Sequence, residues 1–239
     1  MQHYSFHTRV SYDDIDDQMS LTLKGVMGLM QEAAILHSDQ SGYSVFDTER
    51  TRVVWMLVQW HVKLVGKAKW NDLLTVHTWP RTMERLTSSR EFEVVDQNGS
   101  VAAIGDSTWV LVSADTGRIV RITPEVAGAY HLDERRVFEA DTPEFSGIQG
   151  ELVYTGTVLR RDLDTNHHVN NRVYLDYARQ ALPQEMVDQQ FTEVIVRYRK
   201  QLLYGQQFHC WYQKDGNTHV VHICGDDPKV IHGSVAFLG

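Results

Sequence analysis

The strongest constraint on how this chain can fold is a repeat in its own sequence. Two acidic stretches lie 148 positions apart: Asp14-Ile15-Asp16 falls on Asp162-Leu163-Asp164, Gln18 on Asn166, Leu21 on Val169 and Ala33 on Ala181. Each follows a segment that reads as a strand, 4–10 or 152–160, and each precedes apolar residues at helical spacing. A helix is expected over about 22–40, capped by Thr22 or Ser20, and another over about 170–182, stopped by Pro183. After each helix the texture turns to β. The first half then reads as strands at 53–65, 73–79, 86–95 and 101–112, with turns at Trp70-Asn71-Asp72, Asp96-Gln97-Asn98-Gly99 and Asp115-Thr116-Gly117-Arg118. The second half reads as strands at 192–203, 208–213, 218–224 and 230–238, with turns at Asp215-Gly216 and Asp226-Asp227-Pro228. The order of strand, helix and antiparallel meander thus occurs twice. Residues 131–150 are charged and without a clear period, and read as a linker between units at 1–130 and 151–239.

One apolar helix followed by several strands is buried most simply when the sheet wraps around it. The expected fold is therefore α+β, a tandem (double) hotdog with two long central helices inside one continuous antiparallel sheet. Composition supports a globular chain: 239 residues, 42% hydrophobic, 23% charged. A net charge of -8 argues against generic binding to nucleic acid or an anionic membrane, while leaving room for a local basic patch. The start has no apolar core of a signal peptide, and the longest apolar run, 53–58, is too short to span a bilayer, so the cytoplasm is the expected location. The two cysteines, Cys210 and Cys224, are expected to be buried and reduced. A turn centred on Asp215-Gly216 would set position 210 opposite about 221, out of register for a disulfide. The 12 histidines are scattered apart from the adjacent His167-His168, so no metal site and no cofactor is expected.

Chemistry distinguishes the two copies. The second packs carboxylates, carboxamides and imidazoles into residues 160–171, while its counterpart at 14–20 has neither Asn nor His. The cluster is expected where a strand hands over to a helix, whose free N–H groups could hold an oxyanion. In an extended run, alternation would put Asp164, Asn166 and His168 on one side and His167 on the other. The competing reading is helix capping, since Asp and Asn are favoured caps; for Asn170 and Asn171 it is the better one.

The stretch Asp162-Leu163-Asp164-Thr165-Asn166-His167-His168-Val169-Asn170-Asn171 resembles the Asp-x-Asn-x-His-Val-Asn-Asn signature of the acyl-acyl-carrier-protein thioesterases of plants and bacteria. Trp70-Asn71-Asp72 before Thr78-Trp79 is similar to that family's Trp-Gly-Asp and Thr-Trp, and Ser107-Thr108-Trp109-Val110 leading to Ile122 and Pro124-Glu125 is similar to its Ser-x-Trp-Val and Ile-Pro-Glu. Val196-Arg197-Tyr198-Arg199-Lys200-Gln201 resembles its Glu-Tyr-Arg-Arg-Glu segment. The resemblance spans most of the chain and implies the double hotdog fold. It also implies hydrolysis of fatty acyl-acyl carrier protein (ACP), which ends chain elongation in fatty acid biosynthesis.

By motif position the implied catalytic residues are Asp164, Asn166 and His168. The family's water-activating Glu is replaced by Gln201, and a carboxamide cannot act as a general base. Thioester hydrolysis also needs an apolar slot; Met19, Met27, Met30 and Trp55 are candidates to line it, although ordinary core packing is the better reading of them. An acidic carrier would dock on basic residues, for which Arg160, Arg161, Arg199 and Lys200 are candidates. Alternatives are an acyl-coenzyme A thioesterase of the same fold and a non-catalytic acyl-binding protein, the latter favoured by Gln201. Acyl-chain length and pairing into a homodimer depend on packing that no sequence pattern encodes.

Overall fold

A computed structural model of the chain describes residues 3–145, 147–186, 189–227 and 229–238. The chain divides into two compact units, one up to Asp141 and one from Thr142.

The first unit opens with β1 (Tyr4–Arg9), a short 3-10 turn, and α1 (Leu23–Gln40). Thr22 caps that helix, its Oγ1 accepting from the Gly25 N–H at 3.0 Å. Leu23, Val26, Met27, Met30, Ala33 and Ala34 form its buried stripe. Next come the short α2 (Thr48–Thr51) and the strands β2 (Val53–Leu64), β3 (Leu73–Met83), β4 (Thr87–Asp96), β5 (Val101–Ser113) and β6 (Ile119–Val120). The short α3 (Pro124–Gly128) follows. All pairings are antiparallel, in the order β1-β3-β4-β5-β2, with β6 added on β5. The helix packs on this sheet. The end of the unit is no loose tether, because Asp133 N–H bonds to the Pro80 carbonyl and Trp79 Nε1 to that of Arg135, while Phe138 stacks on His61 at 3.9 Å.

The second unit repeats the plan with β7 (Glu151–Thr157), α4 (Val173–Gln180), β8 (Glu193–Tyr198), β9 (Gln207–Asp215), β10 (Thr218–Cys224) and β11 (Ile231–Leu238). Its order is β7-β9-β10-β11-β8, again antiparallel throughout. In both units the sheet order is thus first, third, fourth, fifth, second strand, with the helix between the first two strands in sequence. That is the hotdog arrangement, twice, and the duplication read from the sequence holds for the topology.

Three details differ from expectation. The second helix has 8 residues rather than the 13 of the span 170–182. Its start is delayed by a turn in which Asn170 Oδ1 accepts from the Arg172 N–H, and its end precedes Pro183, which disfavours helical geometry at Leu182. The strand expected over 192–203 stops at Tyr198, because the Arg199 and Lys200 N–H groups both turn to the His232 carbonyl, at 2.8 and 3.1 Å. The β9–β10 turn is Gly216-Asn217, with Gly216 at φ 58, so Cys210 faces Ile223 rather than position 221. Both cysteines are free and buried, and burial pushes their thiols up to about 12 for Cys210 and about 11 for Cys224.

Gly156 on β7 has no room for a side chain, since an added Cβ would meet the ring of Phe208, itself stacked on Tyr177 of α4 at 3.9 Å. Gly156→Ala is expected to cost about 1–3 kcal/mol through overpacking, read from the denaturant midpoint. An unchanged midpoint would mean that the Phe208 ring gives way freely.

Candidate active site

The polar cluster is a tight closed loop rather than an extended run. Leu163 and Val169 form an antiparallel bridge at its neck. Asp164 N–H donates to the His168 carbonyl at 2.8 Å, and His167 N–H donates to the Asp164 carbonyl at 3.1 Å. The Asp164 carboxylate accepts inside the loop, its Oδ1 taking the N–H groups of Asn166 (2.8 Å) and His168 (3.3 Å). His167 adopts φ 62, in the left-handed region. This turn, rather than the alternation of an extended strand, leaves His168 half-buried and His167 exposed.

The first unit builds the same loop bond for bond. Ile15 bridges Leu21, Asp16 N–H donates to the Ser20 carbonyl, and Asp16 Oδ1 accepts from Gln18 and Ser20 N–H at 2.9 Å each. Met19 takes the place of His167 with φ 61. Even the approach matches, since Thr22 N–H bonds to the Asp14 carbonyl and Asn170 N–H to that of Asp162. Asp164 thus carries a structural duty that Asp16 also performs. The second copy has Asn166 where the first has Gln18 and an imidazole, His168, where the first has Ser20, and neither the Asn166 nor the His168 side chain has a hydrogen-bond partner among the described residues.

The surroundings of the loop are firmly held. Asp162 Oδ2 accepts from the Leu159 N–H at 2.8 Å and from the Tyr177 hydroxyl at 2.7 Å. Burial, reinforced by that carboxylate, pushes the Tyr177 phenol far above its ordinary range, so it stays a neutral donor. The helix begins at Val173, beyond the Asn170 turn, so the loop precedes its first turn rather than forming it.

Gln201 arrives by backbone pairing. Val169 N–H donates to the Leu202 carbonyl at 3.0 Å and His168 bridges Leu203, which sets Gln201 immediately before the residues paired to the loop. Its side chain is exposed, while its carbonyl accepts from His232 Nδ1 at 2.9 Å. Burial lowers the His232 pKa against the pull of that bond. Sequence reading missed His232 and the Tyr177 hydroxyl. His232 lies 31 residues from its partner with no motif around it, and Tyr177 read only as part of an apolar stripe.

Among the basic candidates, Arg160 lies over the Tyr204 ring at 4.4 Å, and Arg161, Arg199 and Lys200 are exposed. Exposed apolar Leu159, Leu203 and Tyr204 lie among them in the sequence. In the first unit Met27 and Met30 are core residues with no exposure, and Met30 Sδ sits close over Gly105 of β5. Met19 turns the corner of the counterpart loop. Of the four candidates for the acyl slot, Trp55 alone lines the cavity found in that unit. No three of the described His, Cys, Asp and Glu residues form a group that could hold a metal ion, and no helix among the described residues is long and apolar enough to cross a membrane.

Two hotdog units sharing one loop, chemically elaborated only in the second, define a double-hotdog protein. The family profile of the acyl-ACP thioesterase N-terminal domain matches residues 2–130 and that of the C-terminal domain residues 150–228; the chain belongs to the acyl-ACP thioesterase family. Oleoyl-acyl carrier protein thioesterase 2, chloroplastic, from Arabidopsis thaliana is 28% identical over 199 residues, 75% of this chain and 54% of that protein. The chain spans about half the length of the curated relatives it matches. Among solved structures, an acyl-ACP thioesterase from Bacteroides thetaiotaomicron superposes with a TM-score of 0.87 at 18% identity, covering 98% of this chain and 96% of that one. The 12:0-ACP thioesterase from Umbellularia californica gives 0.83 at 19% identity, covering 100% and 98%. At these identities the two structures share the fold.

Proposed function

We propose that the chain hydrolyses the thioester of a fatty acyl-ACP and releases the free fatty acid. Family membership supports the reaction class. The observation that carries the site is the contrast between the two loops, which share the same backbone bonds while only the second pairs its carboxamide with an imidazole. In this reading the His168 imidazole moves the proton, and Asn166 binds the attacking water or the carbonyl oxygen. Asp164 orients both through their backbone N–H groups, and its carboxylate is the base available within the loop. The first unit, whose loop has Gln18 and Ser20 instead, serves the acyl chain.

The basic residues Arg160, Arg161, Arg199 and Lys200, set among exposed apolar side chains, are the proposed docking surface for an acidic carrier, despite the overall charge of -8. Turnover measured side by side on acyl-ACP and acyl-coenzyme A tests the substrate. A large preference for acyl-ACP is expected, and a large preference for the coenzyme A ester would replace the carrier in this proposal.

Gln201 is the one observation that favours a non-catalytic acyl-binding protein. Gln201→Glu is expected to raise turnover by about 10-fold or more, because it places a carboxylate beside the loop on a segment already fixed by His232. An unchanged rate would assign the base to Asp164 or His168.

A further inference from the structure

Arg90, on β4, is a charge where the first unit should have none. Only 5% of its surface is exposed, yet it makes no ion pair among the described residues. Its Nη1 meets His37 Nδ1 at 3.0 Å and donates to Thr78 Oγ1 at 3.2 Å, and its guanidinium lies over the Tyr130 ring at 5.9 Å. These partners are all neutral. Burial, and then the neighbouring Arg90, pull the His37 pKa down to about 3, so that ring accepts without carrying charge. Burial lowers Arg90 to about 10, which still leaves it a cation at neutral pH. A buried cation without a counter-ion is costly, and the usual remedy is an anion with matching donors and acceptors.

Arg90 lines a cavity whose volume is about 60 Å³. Ile35, Trp55, Met83 and Trp109 supply apolar walls, and Ser38 and Ser88 add hydroxyls. The volume is roughly that of two water molecules, enough for a small charged head and its first methylene but not for a long chain. Val45, also on the lining, is 43% exposed, and Phe46 beside it is 82% exposed, so an apolar rim adjoins the cavity. Arg90 Nε and Nη2 make no hydrogen bond among the described residues. That edge of a guanidinium matches the two oxygens of a carboxylate, whereas the carbonyl of a thioester is neutral and offers one oxygen.

We propose that this cavity binds the carboxylate head of an alkyl carboxylate, with Arg90 as its counter-ion and the alkyl tail lying over Val45 and Phe46. The site lies within the first unit and does not contain the Asp164–His168 loop. A free fatty acid, the product under the reading above, belongs to this ligand class, but the site stands on its own geometry.

The test is calorimetric titration of the full chain with octanoate and with 1-octanol. Octanoate is expected to bind at least about 10-fold more tightly than octanol, in line with a charge-assisted bidentate pair. R90M should lose about 10-fold or more in octanoate affinity with octanol unchanged, its fold checked by circular dichroism, and H168A should bind octanoate like the wild type. Equal affinity of the wild type for octanoate and octanol would overturn the proposal, as would a folded R90M that keeps octanoate affinity, or an H168A that loses it. Should R90M fail to fold, R90K decides, because it keeps the charge but not the fork. Weaker octanoate binding with octanol unchanged supports the site, and unchanged octanoate affinity overturns it. Absence of thioester hydrolysis would count against the proposed activity and leave these titrations as they stand.

Discussion

His168→Ala and Asn166→Ala are each expected to lower turnover on acyl-ACP at least about 100-fold, the scale of losing a proton shuttle or an oxyanion donor, with no loss of thermal stability. The second half of that expectation comes from the other unit. Ser20 and Gln18 occupy the matching positions, and their loop keeps the same neck bridge and the same bonds to its aspartate. The side chains at these positions are therefore not needed to hold the loop. Steady-state rates together with melting curves separate the two contributions. Near-wild-type hydrolysis by both variants would place the active site elsewhere.

Asp164→Ala and Asp16→Ala form a matched pair with a larger combined effect. Each removes one carboxylate oxygen that accepts from two backbone N–H groups, so each is expected to destabilise its unit by about 1–3 kcal/mol. Only Asp164→Ala is expected to abolish activity as well, by about 100-fold or more, since only its loop carries Asn166 and His168. Asp164→Asn refines the comparison, because it keeps the Oδ1 acceptor and removes the charge. Equal loss of turnover in both alanine variants would mean that loop integrity alone sets the rate. Full activity in Asp164→Asn would reduce Asp164 to a loop anchor and move the base to His168 or beyond.

The site was readable to different depths at different residues. Asn166 and His168 stood out because one copy of the repeat has them and the other does not. The loop-closing bonds of Asp164 were not legible, since a carboxylate in a motif looks the same whether it faces a substrate or closes a turn. Its two N–H partners lie two and four residues away, and only backbone geometry, with His167 at φ 62, shows that the chain doubles back there. Met27 and Met30, which are core residues, could be read either way from the sequence because a thioether suits a slot or a core, and side-chain type does not tell the two apart.

The sequence by itself determined the repeat, the strand–helix–meander order in each half and the hotdog class. These follow from local periodicity and turn residues, and a 148-residue offset preserves both. Tertiary structure alone decided the contacts made across long separations. His232 holds the Gln201 carbonyl from 31 residues away, the Tyr177 hydroxyl reaches back to Asp162, and Arg90 meets His37 across 53 residues beside a cavity that no pattern announces. The physical reason is range. Periodicity records which face of an element is buried, but the partner that a buried polar group meets is set by how separate elements pack, and that pairing leaves no local mark in the chain.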